Sequence, residues 1–372
     1  MKRALVTVAL LLGVALLAEG MARVALWAWF GVARAHDGLW CATDEQLARV
    51  AFAWGPERAD SNFVPDPELG YRPAPDLRRL DAQGLPVLTT NARGVRGLTD
   101  VPLERTPGRP RVVAVGDSFT FGADVGDAQA WPAVLAADLG IEVVNLGVQG
   151  FGLDQVALRL EREAFAYHPD VVLIGYYVSS AGPERLLHAW SCGPKPRFER
   201  TGGELALVGT PVPGPDQVRA EVRRAPALGW LLRLAWRALS PAPADDAVAR
   251  RELVHALLDR MVAAVRQAGA RPVVVFLPSA NQPTAADYRL DRDGLLGPWC
   301  ARSGVPCVDA GPALVPGPEG PGWREAAAAN YLGTNPHYSP LGHARVAQAV
   351  AAALRPMLAP IPVPSTPQEE RP

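Results

Sequence analysis

Five short apolar runs alternate along the chain with longer segments in which apolar residues recur at helical spacing. The runs lie at 111–116, 142–146, 170–178, 271–277 and 305–309. They are apolar at almost every position rather than at every second one, which is typical of strands buried on both faces. The helical segments lie at 131–139, 153–167, 250–267, near Leu295 and at 341–354. The pattern therefore predicts strands and helices in regular alternation.

This alternation predicts an α/β fold with a doubly wound parallel sheet of about five strands. Strands that are apolar throughout need helices on both faces, and right-handed crossovers supply them, which gives three α/β/α layers. We assign this domain to 111–358, with an insertion of Pro- and Gly-rich loops and one amphipathic helix at 182–249. An irregular proline-rich lead-in with a few short strands precedes it at 36–110. The tail at 359–372 is predicted to be disordered.

The N-terminal segment, residues 1–35, predicts export from the cytoplasm. Lys2 and Arg3 precede an apolar stretch at 4–18, and a second apolar run follows at 24–33. This layout fits an export signal, with small residues that allow cleavage after Ala22. It also fits a retained hydrophobic helix that anchors the chain in the membrane, which we favour, or a buried pair of helices. Because basic residues stay on the cytoplasmic side, an anchored chain is expected to have its domain outside the cytoplasm. If the signal is cleaved, the domain is expected to be periplasmic or secreted.

Composition excludes several classes of protein. The 372 residues include 37 Lys and Arg against 38 Asp and Glu, a net charge of -1, whereas a nucleic-acid-binding surface needs a basic excess. Charged residues make up 20% and apolar residues 49%, which excludes a disordered chain. No close set of His and Asp ligands is present, so a metal-dependent hydrolase is a weak alternative and no cofactor is expected.

Four cysteines, Cys41, Cys192, Cys300 and Cys307, lie outside any C-x-x-C spacing. An even number in an exported chain predicts two disulfides rather than a zinc or redox motif. Cys300 and Cys307 flank a predicted helix-to-strand turn, so we expect these two to pair. Cys41 is then left for Cys192.

Candidate chemistry follows the first two predicted strands. The first ends in Gly116-Asp117-Ser118, and ligands in an open parallel sheet bind outside the carboxyl ends of its strands. A serine there is exposed at the sheet edge, with backbone N–H groups near it to bind an oxyanion. The second strand is followed by a glycine-rich stretch that includes Gly150, where a backbone N–H is unshielded. Ordinary turn residues are the alternative at both places.

A histidine precedes the last predicted helix. The segment 335–343 reads Asn-Pro-His-Tyr-Ser-Pro-Leu-Gly-His, and Ser339 followed by proline predicts the N-cap of that helix. His337 then lies in the loop at the same edge as Ser118, where it suits a general base. His343 lies inside the helix and is interpreted as a packing or capping residue.

The order of these blocks resembles the SGNH, or GDSL-type, hydrolase superfamily. Members have Gly-Asp-Ser after the first strand, a glycine after the second, Gly-x-Asn-Asp after the third, and Asp-x-His or Asp-x-x-His before the last helix. The stretch Asn-Ala-Arg-Gly-Val-Arg-Gly at 91–97 also resembles the lead-in of anchored bacterial members, and the likeness covers about residues 60–357. It implies an SGNH-hydrolase, flavodoxin-like fold. It also implies that Ser118 is the nucleophile and an oxyanion donor through its N–H, that Gly150 is the second donor, and that His337 is the base.

Two blocks depart from the family pattern. Ser180 stands where the family has its oxyanion asparagine, and Thr334 and Asn335, neither of which can ionise, stand where the acid before His337 is expected. A serine hydroxyl still donates a hydrogen bond, and an asparagine carbonyl still orients an imidazole, although without charge. Asp309 and Glu325 are further carboxylates. Either one replaces the missing acid only if the tertiary structure brings it close to His337.

Two functions are therefore expected. The first is an exported, membrane-anchored serine ester hydrolase that removes or transfers acetyl or short acyl groups through Ser118 and His337. Its partners are acylated small molecules, lipids or envelope glycans, and not nucleic acid. The alternative is a catalytically impaired relative that acts as a glycan-binding or envelope-assembly module.

Overall fold

The structure, a computed structural model of the 372-residue chain, describes most of the sequence. The described residues are 2–35, 62–84, 86–97, 100–177, 194–239, 247–279, 292–315, 323–333 and 336–358. The helix α1 (Lys2–Ala35) is continuous. Among the described residues, one helical stretch, Lys2–Trp29, is long and apolar enough to cross a membrane.

Two small antiparallel hairpins form the described part of the lead-in. They are β1 (Phe63–Asp66) with β2 (Gly70–Pro73), and β3 (Arg78–Leu80) with β4 (Pro86–Thr89). Leu69 and Val95 bury their side chains in the core of the main domain. The wholly buried Arg111 donates to the carbonyl oxygens of Leu103 and Glu104 and pairs with Glu142. The lead-in is therefore bound to the main domain by apolar burial and by buried hydrogen bonds.

The main sheet has five parallel strands in the order β11-β10-β7-β5-β6. These are β5 (Arg111–Gly116), β6 (Glu142–Gly147), β7 (Val171–Tyr176), β10 (Arg271–Phe276) and β11 (Cys307–Asp309). Numbered within the sheet, this is the flavodoxin-like order 2-1-3-4-5, whose switch point lies between β5 and β7. The predicted fold class is confirmed. The last strand begins at Cys307 rather than at Val305, since Pro306 has no N–H for the ladder.

Helices cover both faces of the sheet and explain its continuous apolar runs. Along β5, Val113 and Val115 pack into a core that includes Val254 and Leu258 of the helix Ala247–Gln267, whereas Val112 and Ala114 face the opposite core. Each fully buried side chain of this size contributes about 1.5–3 kcal/mol. The helices of the main domain outside the insertion are α2 (Ser118–Phe121), α3 (Trp131–Leu139), α4 (Leu153–Glu163), α7 (Ala247–Gln267), α8 (Gly297–Ser303), α9 (Gly311–Leu314), α10 (Trp323–Asn330) and α11 (Pro340–Leu358).

The described part of the insertion has more structure than its sequence predicts. It contains the hairpin β8 (Arg197–Thr201) with β9 (Glu204–Val208), and the helices α5 (Pro215–Arg224) and α6 (Ala227–Leu239). The hairpin turn is Gly202-Gly203, and both glycines have positive φ, as a two-residue primed turn requires. This turn signal was available in the sequence.

The predicted disulfide between Cys300 and Cys307 is present, with the two Cα atoms 6.2 Å apart. It joins the end region of α8 to the start of β11. The second predicted pair, Cys41 with Cys192, lies outside the described residues.

Candidate active site

Ser118 lies at the switch point of the sheet, directly after β5. It is the first residue of the short helix α2, whose N-cap is Asp117. The Asp117 carboxylate accepts a hydrogen bond from the Phe119 N–H at 3.0 Å, which fixes the turn from strand to helix. The Ser118 side chain is half-buried. The first strand therefore delivers the serine to the edge where ligands bind in this class of sheet.

Three glycines at the strand ends allow this turn to lie directly on the sheet. A Cβ at Gly116 or at Gly175 would lie 2.1 Å from Thr120 Oγ1, and one at Gly147 would lie 2.3 Å from the Phe121 nitrogen. No side chain fits at these positions unless α2 moves away. The close approach is thus a property of the sequence at the ends of β5, β6 and β7, and it sets the height of Ser118 above the sheet.

His337 reaches Ser118 from the loop before α11. Its Nε2 lies 2.9 Å from Ser118 Oγ, and its ring stacks edge-on against Phe119 at 5.1 Å. Ser339 caps α11 as predicted, because its Oγ accepts from the Gly342 N–H. Tyr338, next to the histidine, is wholly buried and donates its hydroxyl to the Pro278 carbonyl at 2.8 Å. These contacts hold the histidine loop against the end of β10.

The carboxylate that contacts His337 is that of Asp124, which was not predicted from the sequence. Its Oδ2 lies 2.6 Å from His337 Nδ1, so Ser118, His337 and Asp124 form a serine–histidine–aspartate chain of hydrogen bonds. The position that we expected Asn335 to occupy at Nδ1 is thus taken by Asp124. The aspartate side chain is 44% exposed and that of the histidine 15%, so the acid is the outer member.

The backbone at Asp124 has φ of +65°, in the left-handed region that non-glycine residues rarely adopt. Asp is one of the few side chains that tolerate this conformation. Residues held in such conformations tend to cluster at functional sites. An aspartate in a Gly-Ala-Asp-Val-Gly stretch six residues after the serine is the sequence signal for this acid.

A buried arginine from the lead-in holds the loop that carries Asp124. Arg96 donates to the carbonyl oxygens of Phe121, Gly122 and Val125, on both sides of that aspartate. Its Nε also pairs with Asp127 at 2.9 Å, and both side chains are almost fully buried. Burial lowers the pKa of the Arg96 guanidinium, and the negative charges of Asp127 and Asp124 oppose that shift. Arg96 lies in the stretch 91–97 that resembles the family lead-in, and the structure shows what it contacts.

His343 has the capping role predicted for it. Its Nδ1 accepts a hydrogen bond from the Trp131 N–H at 3.2 Å, at the start of α3, and its ring is buried against Tyr338. Burial, together with the positive Arg96, lowers the pKa of His343 to about 3. The imidazole is therefore neutral, as its acceptor role requires, and it joins α3 to α11.

The remaining predicted site residues differ in what the structure describes. Gly150 lies in the buried turn after β6 with φ of +82°, and the adjacent Val148 N–H donates to the Gly116 carbonyl, so this turn lies beside the end of β5. Within the described part of the chain, the Ser118 N–H has no hydrogen-bond acceptor. Ser180 and Asn335 lie outside the described residues. The described residues contain no group of three or more His, Cys, Asp or Glu side chains that could hold a metal ion.

Comparison with known proteins finds likeness in structure only. No protein-family model and no curated sequence matches this chain. Solved structures that it is similar to include a lipase/acylhydrolase from Enterococcus faecalis, with 15% identity over 68% of this chain and 100% of the other, at a TM-score of 0.42. Others are a GDSL-like lipase from Bacteroides thetaiotaomicron (12% identity, 68% and 91% covered, TM-score 0.38) and a catalytic mutant of an acetylxylan esterase from Geobacillus stearothermophilus (15% identity, 66% and 94% covered, TM-score 0.39). At these values the likeness concerns the fold and does not extend to substrate or mechanism.

Proposed function

We propose that this chain, which has the flavodoxin-like strand order and the serine turn of SGNH-type hydrolases, is a membrane-anchored ester hydrolase whose domain lies outside the cytoplasm. One observation carries the proposal. Ser118 Oγ lies 2.9 Å from His337 Nε2, while the other ring nitrogen lies 2.6 Å from the Asp124 carboxylate. These distances are those of a nucleophile, its general base and the group that orients the base.

Each of the three residues has a defined role in acyl transfer. With Nδ1–H donating to Asp124, His337 Nε2 is the acceptor that takes the Ser118 proton as Oγ attacks the acyl carbon. The imidazolium then returns that proton to the leaving alcohol, which departs and leaves an acyl-enzyme. Water attacks the acyl-enzyme by the same route in reverse, and an acceptor hydroxyl in place of water makes the same site a transferase.

Stabilisation of the oxyanion is assigned to the serine edge of the sheet. The Ser118 N–H and Gly150 are the proposed donors, and support comes from the Val148 N–H, two residues before Gly150, which donates to the Gly116 carbonyl at the end of β5. Ser180 is the proposed third donor. One such donor contributes about 10²–10³ in rate in other enzymes, so loss of any one of them is expected to lower turnover by a factor of that order.

The substrate is proposed to be an acetyl or short acyl ester of an envelope glycan or lipid. The proposal follows from the expected location outside the cytoplasm and from the superfamily resemblance, and α1 supports it as a helix of sufficient length and apolarity to anchor the chain. The alternative of an impaired binding module is motivated by two departures from the family pattern, Ser180 in place of the oxyanion asparagine and the missing acid before His337. Asp124 supplies an acid from elsewhere, so we favour the enzyme.

The test compares the full-length chain with its Ser118→Ala variant in detergent, using p-nitrophenyl acetate and a fluorophosphonate label. We expect turnover to fall to background in the variant, and mass spectrometry to locate the label of the wild type on Ser118. Ser303→Ala is the matched control, because among the described residues the Ser303 hydroxyl forms hydrogen bonds only with Cys300 and Val305 at the end of α8. The activity of this variant is expected to be unchanged. Equal turnover by wild type and Ser118→Ala, in folded protein, contradicts the proposal.

A further inference from the structure

The helix α6 presents an apolar face that no described part of the chain covers. Leu228, Leu232, Trp236 and Leu239 are all exposed large apolar side chains of this helix. At about 100° per residue they fall within one arc of the helix surface. Arg233 lies outside that arc, exposed, with its guanidinium over the ring of Trp230 at 5.2 Å. A helix with leucine and tryptophan on one face and arginine on another matches the pattern of helices that lie in a membrane surface.

The other side of α6 packs against the N-terminal helix. Glu19 of α1 accepts hydrogen bonds from the Ala227 and Leu228 N–H groups at 2.8 and 3.0 Å, so that it caps the first turn of α6. Ala22 and Leu26, one turn apart on the same face of α1, are buried. The charged Glu19, unexpected in an anchor helix, thus has a structural role at the point where α6 begins.

Arg23 completes this junction. It pairs with Glu19 at 2.7 Å and donates to the carbonyl oxygens of Arg223 and Ala225, at the end of α5. The side chains of Arg223 and Arg224 are exposed beside it. Two exposed cations at the end of α5, just before the apolar helix α6 begins at Ala227, suit the anionic headgroups of a bilayer.

From these contacts we infer that α6 lies in the lipid headgroup region beside the membrane-spanning part of α1, so that the bilayer is what covers its apolar face. The inference rests on the proposed membrane anchoring. The apolar surface of α1, with Met21, Val24 and Trp27 exposed, adjoins the α6 junction at Ala22 and Leu26. When α1 spans the bilayer, its contact with α6 brings the exposed leucines and Trp236 to the same membrane surface.

This arrangement extends the proposed function. The insertion that carries α6 then contacts the membrane. The domain is held at the bilayer by two helices, α1 and α6, rather than by α1 alone. A domain seated in this way meets ester groups at the height of the lipid headgroups. Lipids and lipid-linked glycans are therefore the substrate class most accessible to the domain, ahead of freely diffusing esters.

The test uses the full-length chain in phosphatidylcholine vesicles that contain phosphatidylglycerol, with and without acyl-brominated lipid as a tryptophan quencher. We expect Trp236→Phe to lower the lipid-quenchable emission by about a third, since Trp27, Trp29 and Trp236 are the tryptophans expected at this depth, whereas Trp230 lies on the opposite face of α6. Trp299→Phe, which removes a buried tryptophan of the domain, is expected to leave it unchanged. Equal quenchable emission in wild type and Trp236→Phe overturns the inference.

A charge substitution provides the second measurement. Leu232→Glu is expected to reduce quenching of Trp236, whereas Leu207→Glu, at an exposed leucine of β9, is the matched control without effect. If Leu232→Glu instead changes the number of chains in a detergent particle and leaves quenching unchanged, the face binds protein and the inference is wrong. Absence of p-nitrophenyl acetate turnover by the wild type contradicts the proposed function but leaves the quenching result valid.

Discussion

Asp124 combines a catalytic position with an unfavourable backbone conformation, so one substitution is expected to separate activity from stability. In Asp124→Gly the carboxylate that holds His337 is lost, while the backbone at φ of +65° becomes favourable. In Asp124→Asn the shape and the tolerance of this conformation are kept and only the charge is lost. Activity is expected to fall in both variants, and stability to fall in neither.

The magnitude follows from the geometry. An aspartate and an imidazolium with charge centres about 4 Å apart attract by about 4 kcal/mol at an effective dielectric of about 20, and by about 1 kcal/mol in bulk water. Because the Asp124 side chain is 44% exposed, its environment lies between these limits. Loss of about 1–4 kcal/mol of stabilisation of the imidazolium corresponds to about a five- to thousandfold decrease in kcat. For the backbone, removal of the left-handed strain raises the free energy of unfolding of Asp124→Gly by up to about 1 kcal/mol.

The assay is kcat and KM for p-nitrophenyl acetate, together with urea unfolding of the same preparations. Asp138→Asn is the matched control, because Asp138 is an exposed aspartate of α3, and it is expected to behave as the wild type. Turnover by Asp124→Gly and Asp124→Asn within twofold of the wild type would refute the assignment of the acid. A loss of more than about 1 kcal/mol in Asp124→Gly would show that the aspartate has a mainly structural role.

Three further predictions test other contacts. Arg96→Lys keeps the charge but loses most of the hydrogen bonds to carbonyl oxygens around Asp124, so kcat should fall about ten- to a hundredfold with KM little changed. In the Asp124→Gly background the same substitution should cause no further fall in kcat. The pKa of His343 is about 3 in the folded chain against 6.5 as its ordinary value, so the unfolded chain binds the extra proton and the free energy of unfolding should decrease as pH falls from 6.5 towards 3. Urea unfolding of His343→Gln across that window should show a smaller decrease, and an unchanged slope contradicts this reasoning. Lys195 donates hydrogen bonds to both carboxylate oxygens of the buried Asp154. Because Lys195→Met leaves that carboxylate buried and unpaired, it should lower the free energy of unfolding by about 3–5 kcal/mol, and adding Asp154→Leu should recover most of the loss. Full stability of Lys195→Met would contradict this.

The sheet could be predicted from the sequence because burial on both faces leaves a local trace. Every position of β5 and β7 is buried, so both are read as unbroken apolar runs. The contact of α6 with α1 leaves no such trace. It joins Glu19 to Ala227, 208 residues apart, and neither helix has a periodicity that specifies the other as its partner.

The site was predictable where the residue type and its place along a strand both pointed to chemistry. Ser118 follows a buried strand and His337 precedes a capped helix, and the structure places their side chains within hydrogen-bond distance. The family pattern predicts the acid just before the histidine, at Thr334 or Asn335. Asp124 instead lies in a turn of glycines and aspartates, where aspartate is common for reasons of backbone geometry alone. Its distance to the histidine is set by Arg96, a tertiary contact that has no local signature.

The three members of the triad are joined to the chain in unequal ways. Ser118 and Asp124 lie within one short segment that the glycines at the strand ends and Arg96 fix locally, whereas His337 is 219 residues away from the serine. Detachment of α11 alone would therefore remove His337 from Ser118, and activity would be lost while the serine stays in place. Reactivity of Ser118 towards a fluorophosphonate thus also reports on the docking of α11, and it should be lost whenever heating or urea detaches that helix.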